Sequence, residues 1–78
     1  MIVPINVRVL NDYKLMIKFS TGEEKIYDAK LDLDFGVFQS LKDENLFSQA
    51  RIARGTVVWN DDLDIAPETL YQESKSIL

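Results

Sequence analysis

The sequence predicts an α+β domain: an antiparallel sheet of about five strands, built from a three-strand meander plus a hairpin, with a short middle helix and a C-terminal helix. Three observations carry this reading. Apolar and polar residues alternate through residues 1–30, the apolar spacing lengthens to three and four between residues 33 and 47, and Pro67 opens a helix-like stretch near the other end.

From Val3 the odd positions Val3, Ile5, Val7 and Val9 are apolar, with polar Asn6 and Arg8 between them. A period of two is that of a strand with one face buried. Pro4 lacks an amide hydrogen, so this strand is expected to start at an edge or before regular pairing. Asn11-Asp12 marks a turn, after which Tyr13, Leu15, Ile17 and Phe19 share one face. Lys14 and Lys18 take the other face, with Met16 half covered between them. Gly22 supplies a positive φ for the next reversal. Ile26 and Tyr27 continue into a third strand, and short turns between three strands make an antiparallel meander.

Past Leu33 the period changes. Val37, Phe38 and Leu41 stand at helical spacing, with Asp34 or Asp32 as the expected N-cap and Gly36 keeping the helix short. Asp43 is placed to cap a second turn that brings Leu46 and Phe47 inward. Next comes a hairpin, with Ile52 between Arg51 and Arg54 on one arm and Val57, Val58 and Trp59 on the other. Arg-Gly is a poorer two-residue turn than Asn-Gly, so Gly55 is expected in a left-handed bulge instead. Pro67 then starts a helix with Leu70 as its inward anchor and a frayed end.

The composition of 78 residues, read as a single domain over 1–78, excludes several chemistries. With no cysteine there is no disulfide, thiolate metal site or thiol nucleophile. Histidine is absent as well, which removes the commonest base near neutral pH and the commonest zinc ligand. Neither a signal peptide nor an apolar run of membrane-spanning length is visible, so a cytoplasmic bacterial protein is the expectation. Net charge is −4, which argues against nucleic-acid binding by the isolated domain. Residues 1–30 carry five basic and four acidic side chains, residues 31–78 four and nine.

The acidic stretch after Trp59 decides between chemistry and architecture. Asn60, Asp62 and Asp64 are spaced like the first ligands of a calcium loop, but Ile65 stands where that loop needs glycine and Tyr71 where it needs glutamate. Paired carboxylates serve as acid and base only when burial or a neighbour separates their pKa values, and Asp61, Asp62, Asp64 and Glu68 read as solvated. The architectural reading accounts for more. Pro67 fits the first helical position, Glu68 lies in the first turn beside the positive end of the helix, and Asp64 reaches the free amides in place of Ala66. Ile65 is expected to pack near Leu70 across that start, while Asp61 and Asp62 make the turn leaving the strand. No catalytic residue, metal ligand or cofactor is therefore assigned.

Trp59 is expected in the core or at its rim, with the indole N–H bonded at the edge. Lys14 and Lys18 on one strand face, and Arg51 and Arg54 about a turn, are what exposed surfaces ordinarily show.

The order of these features resembles a small prokaryotic family, domain of unknown function 2442. The resemblance rests on Phe19, Ser20 and Gly22, then Tyr27 and Asp28, then Leu41, Asp43 and Phe47. Its most specific block is Trp59, Asp64, Pro67, Glu68, Leu70 and Tyr71, taken as the interaction or structural signature. The resemblance implies an α+β domain of a few antiparallel strands with short helices and an uncharacterised activity. Some longer members carry a helix-turn-helix domain after this module, and others are encoded beside a second small protein in an arrangement similar to toxin–antitoxin pairs. The chain runs only a few residues beyond Tyr71, so a transcriptional role is expected to need a partner.

The expectation is a non-enzymatic accessory or interaction module that binds a protein partner or itself, with no membrane role. Two alternatives are a nucleic-acid-associated subunit acting through a partner, and a metal-dependent enzyme using the acidic loop.

Overall fold

The computed structural model describes residues 1–60 and 63–76. Strands β1 (Pro4–Leu10), β2 (Lys14–Phe19) and β3 (Glu24–Asp28) form the expected antiparallel meander. The alternation read in β2 is realised: Leu15, Ile17 and Phe19 are fully buried, and Lys18 faces out with half-buried Lys14 and Met16. Burying each such aliphatic side chain is worth about 1.5–3 kcal/mol before chain entropy is counted.

β1 departs from strict alternation. Pro4 pairs with Phe19 and Asn6 with Lys18, so two residues of β1 answer one of β2. The bulge buries Pro4 and leaves Ile5 52% exposed, which corrects the inward position expected for Ile5. Pro4 has no N–H to give the ladder, and a bulge is where such a residue is tolerated.

After β3, Asp28 accepts the Lys30 amide at 3.0 Å and caps a three-ten turn, Ala29–Leu31. The predicted middle helix exists over Gly36–Lys42, but as a three-ten helix whose N-cap is Phe35, with no side-chain cap. Asp34 pairs with Lys42 at 2.9 Å, and Asp32 accepts the Tyr27 hydroxyl at 2.6 Å, so neither is free to cap. Leu41 still reaches the core. Asp43 does cap as expected: it accepts the Asn45 amide at 2.9 Å and starts α1 (Glu44–Phe47), which buries Phe47 and half-buries Leu46.

The hairpin pairs β4 (Arg51–Ala53) with β5 (Thr56–Asn60). Ala53 faces Thr56, so Arg54 and Gly55 alone make the turn, with φ of 53° and 76°. Positive φ at both positions is the type I′ form, not the expected bulge. It matches the strand twist, and Arg54 bears the left-handed strain.

The larger correction is sheet count. Two antiparallel sheets, not one sheet of about five strands, make the fold. β6 (Leu63–Ile65) pairs with β5, giving the order β4-β5-β6. After α2 (Pro67–Glu73), β7 (Lys75–Ser76) pairs with β3 and completes a second sheet, β1-β2-β3-β7. The two share one apolar core, with Leu15, Ile17, Phe19 and Tyr27 from the larger sheet and Val57, Trp59, Leu63 and Ile65 from the smaller. Leu41, Phe47 and Leu70 join it from the helical segments. β1 lies beside β4 and β5, so the sheets meet along that side.

Candidate functional site

The acidic stretch is partly strand. Leu63 and Ile65 are buried and Asp64 between them is exposed, the short alternation of β6. Asp64 sits opposite Val58 in the ladder. The N-cap of α2 is Ala66, with no side-chain cap, so Asp64 does not hold the helix start as expected. Pro67 does occupy the first turn with Glu68 beside it. Ile65 and Leu70 are both in the core, on either side of that start. Asp61 and Asp62, assigned to the turn, lie outside the described residues. Among the described residues no three Asp or Glu side chains converge as a metal-ligand set.

Trp59 is wholly buried in the β5 bulge opposite β6. Its ring meets Phe38 edge-on at 6.3 Å and Phe47 at 6.2 Å with a 32° tilt. The indole N–H finds no acceptor among the described residues, which corrects the rim hydrogen bond expected for it. An unpaired buried donor costs about 1–3 kcal/mol, offset here by the area the ring covers.

Tyr71 binds the signature block to the other end of the chain. Its hydroxyl donates to Glu23 Oε1 at 2.6 Å, its ring stands edge-on to Phe19 at 5.0 Å, and Lys25 Nζ lies 3.8 Å over the ring. Lys25 also donates to the Tyr71 carbonyl at 3.0 Å. The Tyr71 hydroxyl, and then Thr21, hold the Glu23 carboxyl below its ordinary pKa. Ser20 Oγ accepts the Val3 amide at 3.1 Å, securing the same turn to β1. Phe19 therefore meets Tyr71 in space, with Glu23 beside it, and Trp59 and Leu70 are in the core. These residues fasten the fold. Glu68 and Tyr71 line a shallow hollow together with Met1, Ile2 and Gln72.

A family described as "Protein of unknown function (DUF2442)" matches residues 4–76. The chain belongs to that family. No curated protein and no solved structure matches it. In this DUF2442 chain Trp59 and Leu70 lie in the core, while Asp64 and Glu68 are exposed and Tyr71 is half-buried.

Two exposed regions stand out. Leu31 and Phe35 are 66% and 65% exposed on the segment between β3 and the three-ten helix. Successive turns fix that segment: Asp32 N–H donates to Ala29 at 2.9 Å and Phe35 N–H to Asp32 at 3.1 Å. The second region is the outer face of the larger sheet, where the register sets Arg8, Met16, Ile26 and Lys75 in one row across four strands. Lys14 faces Asp28 on one side of that row and Lys18 faces Glu24 on the other. An open groove of about 550 Å3 runs from this face past Leu31 to Glu73.

Glu73, at that groove, has its pKa raised, first by loss of water around its carboxyl and then by its hydrogen bond to Asp32. Burial, then Asp32, push the Tyr27 hydroxyl far above the ordinary tyrosine range, so it stays a donor. A second hollow, about 410 Å3, lies between the β1–β2 turn and α1. Its Asp12 is already paired with Lys30 at 2.6 Å. Sequence reading missed Leu31 and Phe35 as displayed groups because both sit among core-forming apolar residues of the same spacing. Met16, an apolar residue between two lysines, was the one visible signal of the outer face.

No helix among the described residues is long and apolar enough to cross a membrane.

Proposed function

We propose that this protein is a non-enzymatic interaction module whose work is to hold another protein, as one member of a regulatory or toxin–antitoxin-like gene pair. The observation that carries this is the display of Leu31 and Phe35. Two large apolar side chains, each about two-thirds exposed, stand on a segment held by turns and by the Asp28 cap. Large apolar side chains left exposed on one short, held segment support a contact surface, where apolar patches concentrate. An aromatic anchor such as Phe35 fits a pocket on a partner, with its surroundings excluding water.

The test is affinity capture from the native organism with tagged wild type and the Leu31→Ser/Phe35→Ser double variant, each checked for folding by thermal melting. Wild type is expected to retain one protein near stoichiometric amount and the variant to lose it. Retention of that protein by both forms alike, or of none by wild type, overturns the reading.

A further inference from the structure

We propose that the outer face of the four-stranded sheet docks against the same face of a second copy of this chain, as a two-fold dimer. This names one partner for an interaction module and rests on the reading that the protein works by contact.

Charge placement on the face carries the argument. Outward side chains of β1 and β2 include Arg8, Lys14 and Lys18 and no acid; those of β3 are Glu24, Ile26 and Asp28. One half is basic and the neighbouring half acidic, with half-buried Met16 and Ile26 at the boundary. A self-complementary pattern of that kind is what an isologous interface requires, since each patch meets the other patch of its twin. Partners that carry one sign of charge, nucleic acid included, meet repulsion over half of such a face.

The register also selects the axis. Put a two-fold parallel to the strands, between β2 and β3. Lys14 then lies over Asp28 of the second copy, Met16 over its Ile26, and Lys18 over its Glu24, each contact occurring twice. A two-fold running across the strands would instead set lysine on lysine and acid on acid. Only the first arrangement matches, and it keeps the strands of the two sheets near-aligned, as packed sheets prefer. One mismatch remains at the rim, where Arg8 lies over Lys75 of the second copy. Glu73 lines the same groove as Lys75 and softens it.

Area sets the strength. Three strands of five to seven residues and the two-residue β7, at ordinary strand spacing, cover roughly 300 Å2 per copy. Stable complexes bury about 800 Å2 per partner, so this dimer falls in the weak, concentration-dependent class. Its charges lie near water, so salt weakens it.

Sedimentation equilibrium of the full chain from roughly 10 µM to 1 mM tests it. A reversible dimer is expected, with Kd rising ~10-fold between about 50 mM and 500 mM salt. Ile26→Glu is expected to leave a folded monomer, and Lys18→Glu to raise Kd at least ~10-fold by setting acid over Glu24. Lys18→Glu combined with Glu24→Lys restores the pairing and the dimer, a rescue that no loss of fold imitates. Wild type monomeric throughout, a dimer indifferent to Ile26→Glu, or a double variant without rescue overturns the proposal. So does a monomer that retains duplex DNA and loses it with Lys18→Glu, which assigns the face to nucleic acid. A monomeric wild type that still captures a protein through Leu31 and Phe35 sinks the dimer alone. A dimer with no such capture sinks only the loop's role.

Discussion

Residues 15, 17 and 19 and residues 14, 16 and 18 lie on one strand, a single position apart, yet belong to different environments. The first three are fully buried against the smaller sheet's core residues. The second three look outward, where Met16 is only half covered and Lys18 is exposed. Strand geometry alone makes this division, because successive side chains point to opposite faces. Stability is concentrated on one side of the sheet, and the other side is left free to vary in charge. In so small a domain, where the whole margin is about 5–15 kcal/mol, that separation lets a contact surface exist without weakening the core.

Breaking the inner side gives the largest expected effect. Ile17→Ala should cost about 2–5 kcal/mol, enough to unfold much of the population at room temperature, as read by urea denaturation. By contrast, Lys18→Glu next to it should move the midpoint little, within about 0.5 kcal/mol. Equal losses at the two positions would end the distinction between the faces.

The edge of the inner side is sharpened by Tyr71→Phe, which removes the donor to Glu23 while keeping the ring on Phe19. Glu23 is held below its ordinary pKa of 4.5, so its contribution is present above that pH and fades as pH falls through the lowered value. The melting temperature of Tyr71→Phe should therefore drop relative to wild type at neutral pH, and the gap should close in acid. A gap that persists unchanged under acid conditions would mean the hydroxyl works by some other contact.

Another small effect lies at the outer groove. Glu73 has a raised pKa, so its favourable contribution belongs to low pH and is lost as pH rises through the folded value, leaving two carboxylates together with Asp32. Glu73→Gln should raise stability at pH 7 by less than about 1 kcal/mol for so exposed a group, read as a small rise in melting temperature, and give no gain near pH 4. A gain of the same size at both pH values would remove Asp32 from the explanation.

How much of this was legible depended on run length. The meander was readable because β2 offers six residues of unbroken alternation, and Pro67 marked its helix because proline suits few other places. β6 was hidden: Leu63-Asp64-Ile65 is three residues of alternation inside an acidic run, too short for a period to show. β7 is two residues long and carries no period at all. Without those two strands, a single sheet was the natural inference. The engagement of Asp32 by Tyr27 and of Asp34 by Lys42, in place of a cap on Gly36–Lys42, is not encoded in spacing, nor is the three-ten form of that segment. Of the surfaces, the mixed lysine–methionine face was visible in outline. Its acidic half was not, since Glu24 and Asp28 become neighbours of Lys18 and Lys14 only through the register.

The pairing of β3 with β7 also sets a timetable. Lys25 waits for Ser76, about 50 residues later in synthesis, whereas β4, β5 and β6 fall within one short contiguous stretch. The smaller sheet needs only residues 51–65, whereas the outer margin of the larger needs residues 75 and 76 as well. Until residues 75 and 76 arrive, that stretch of β3 is an unprotected hydrogen-bonding edge, open to pairing with the wrong strand.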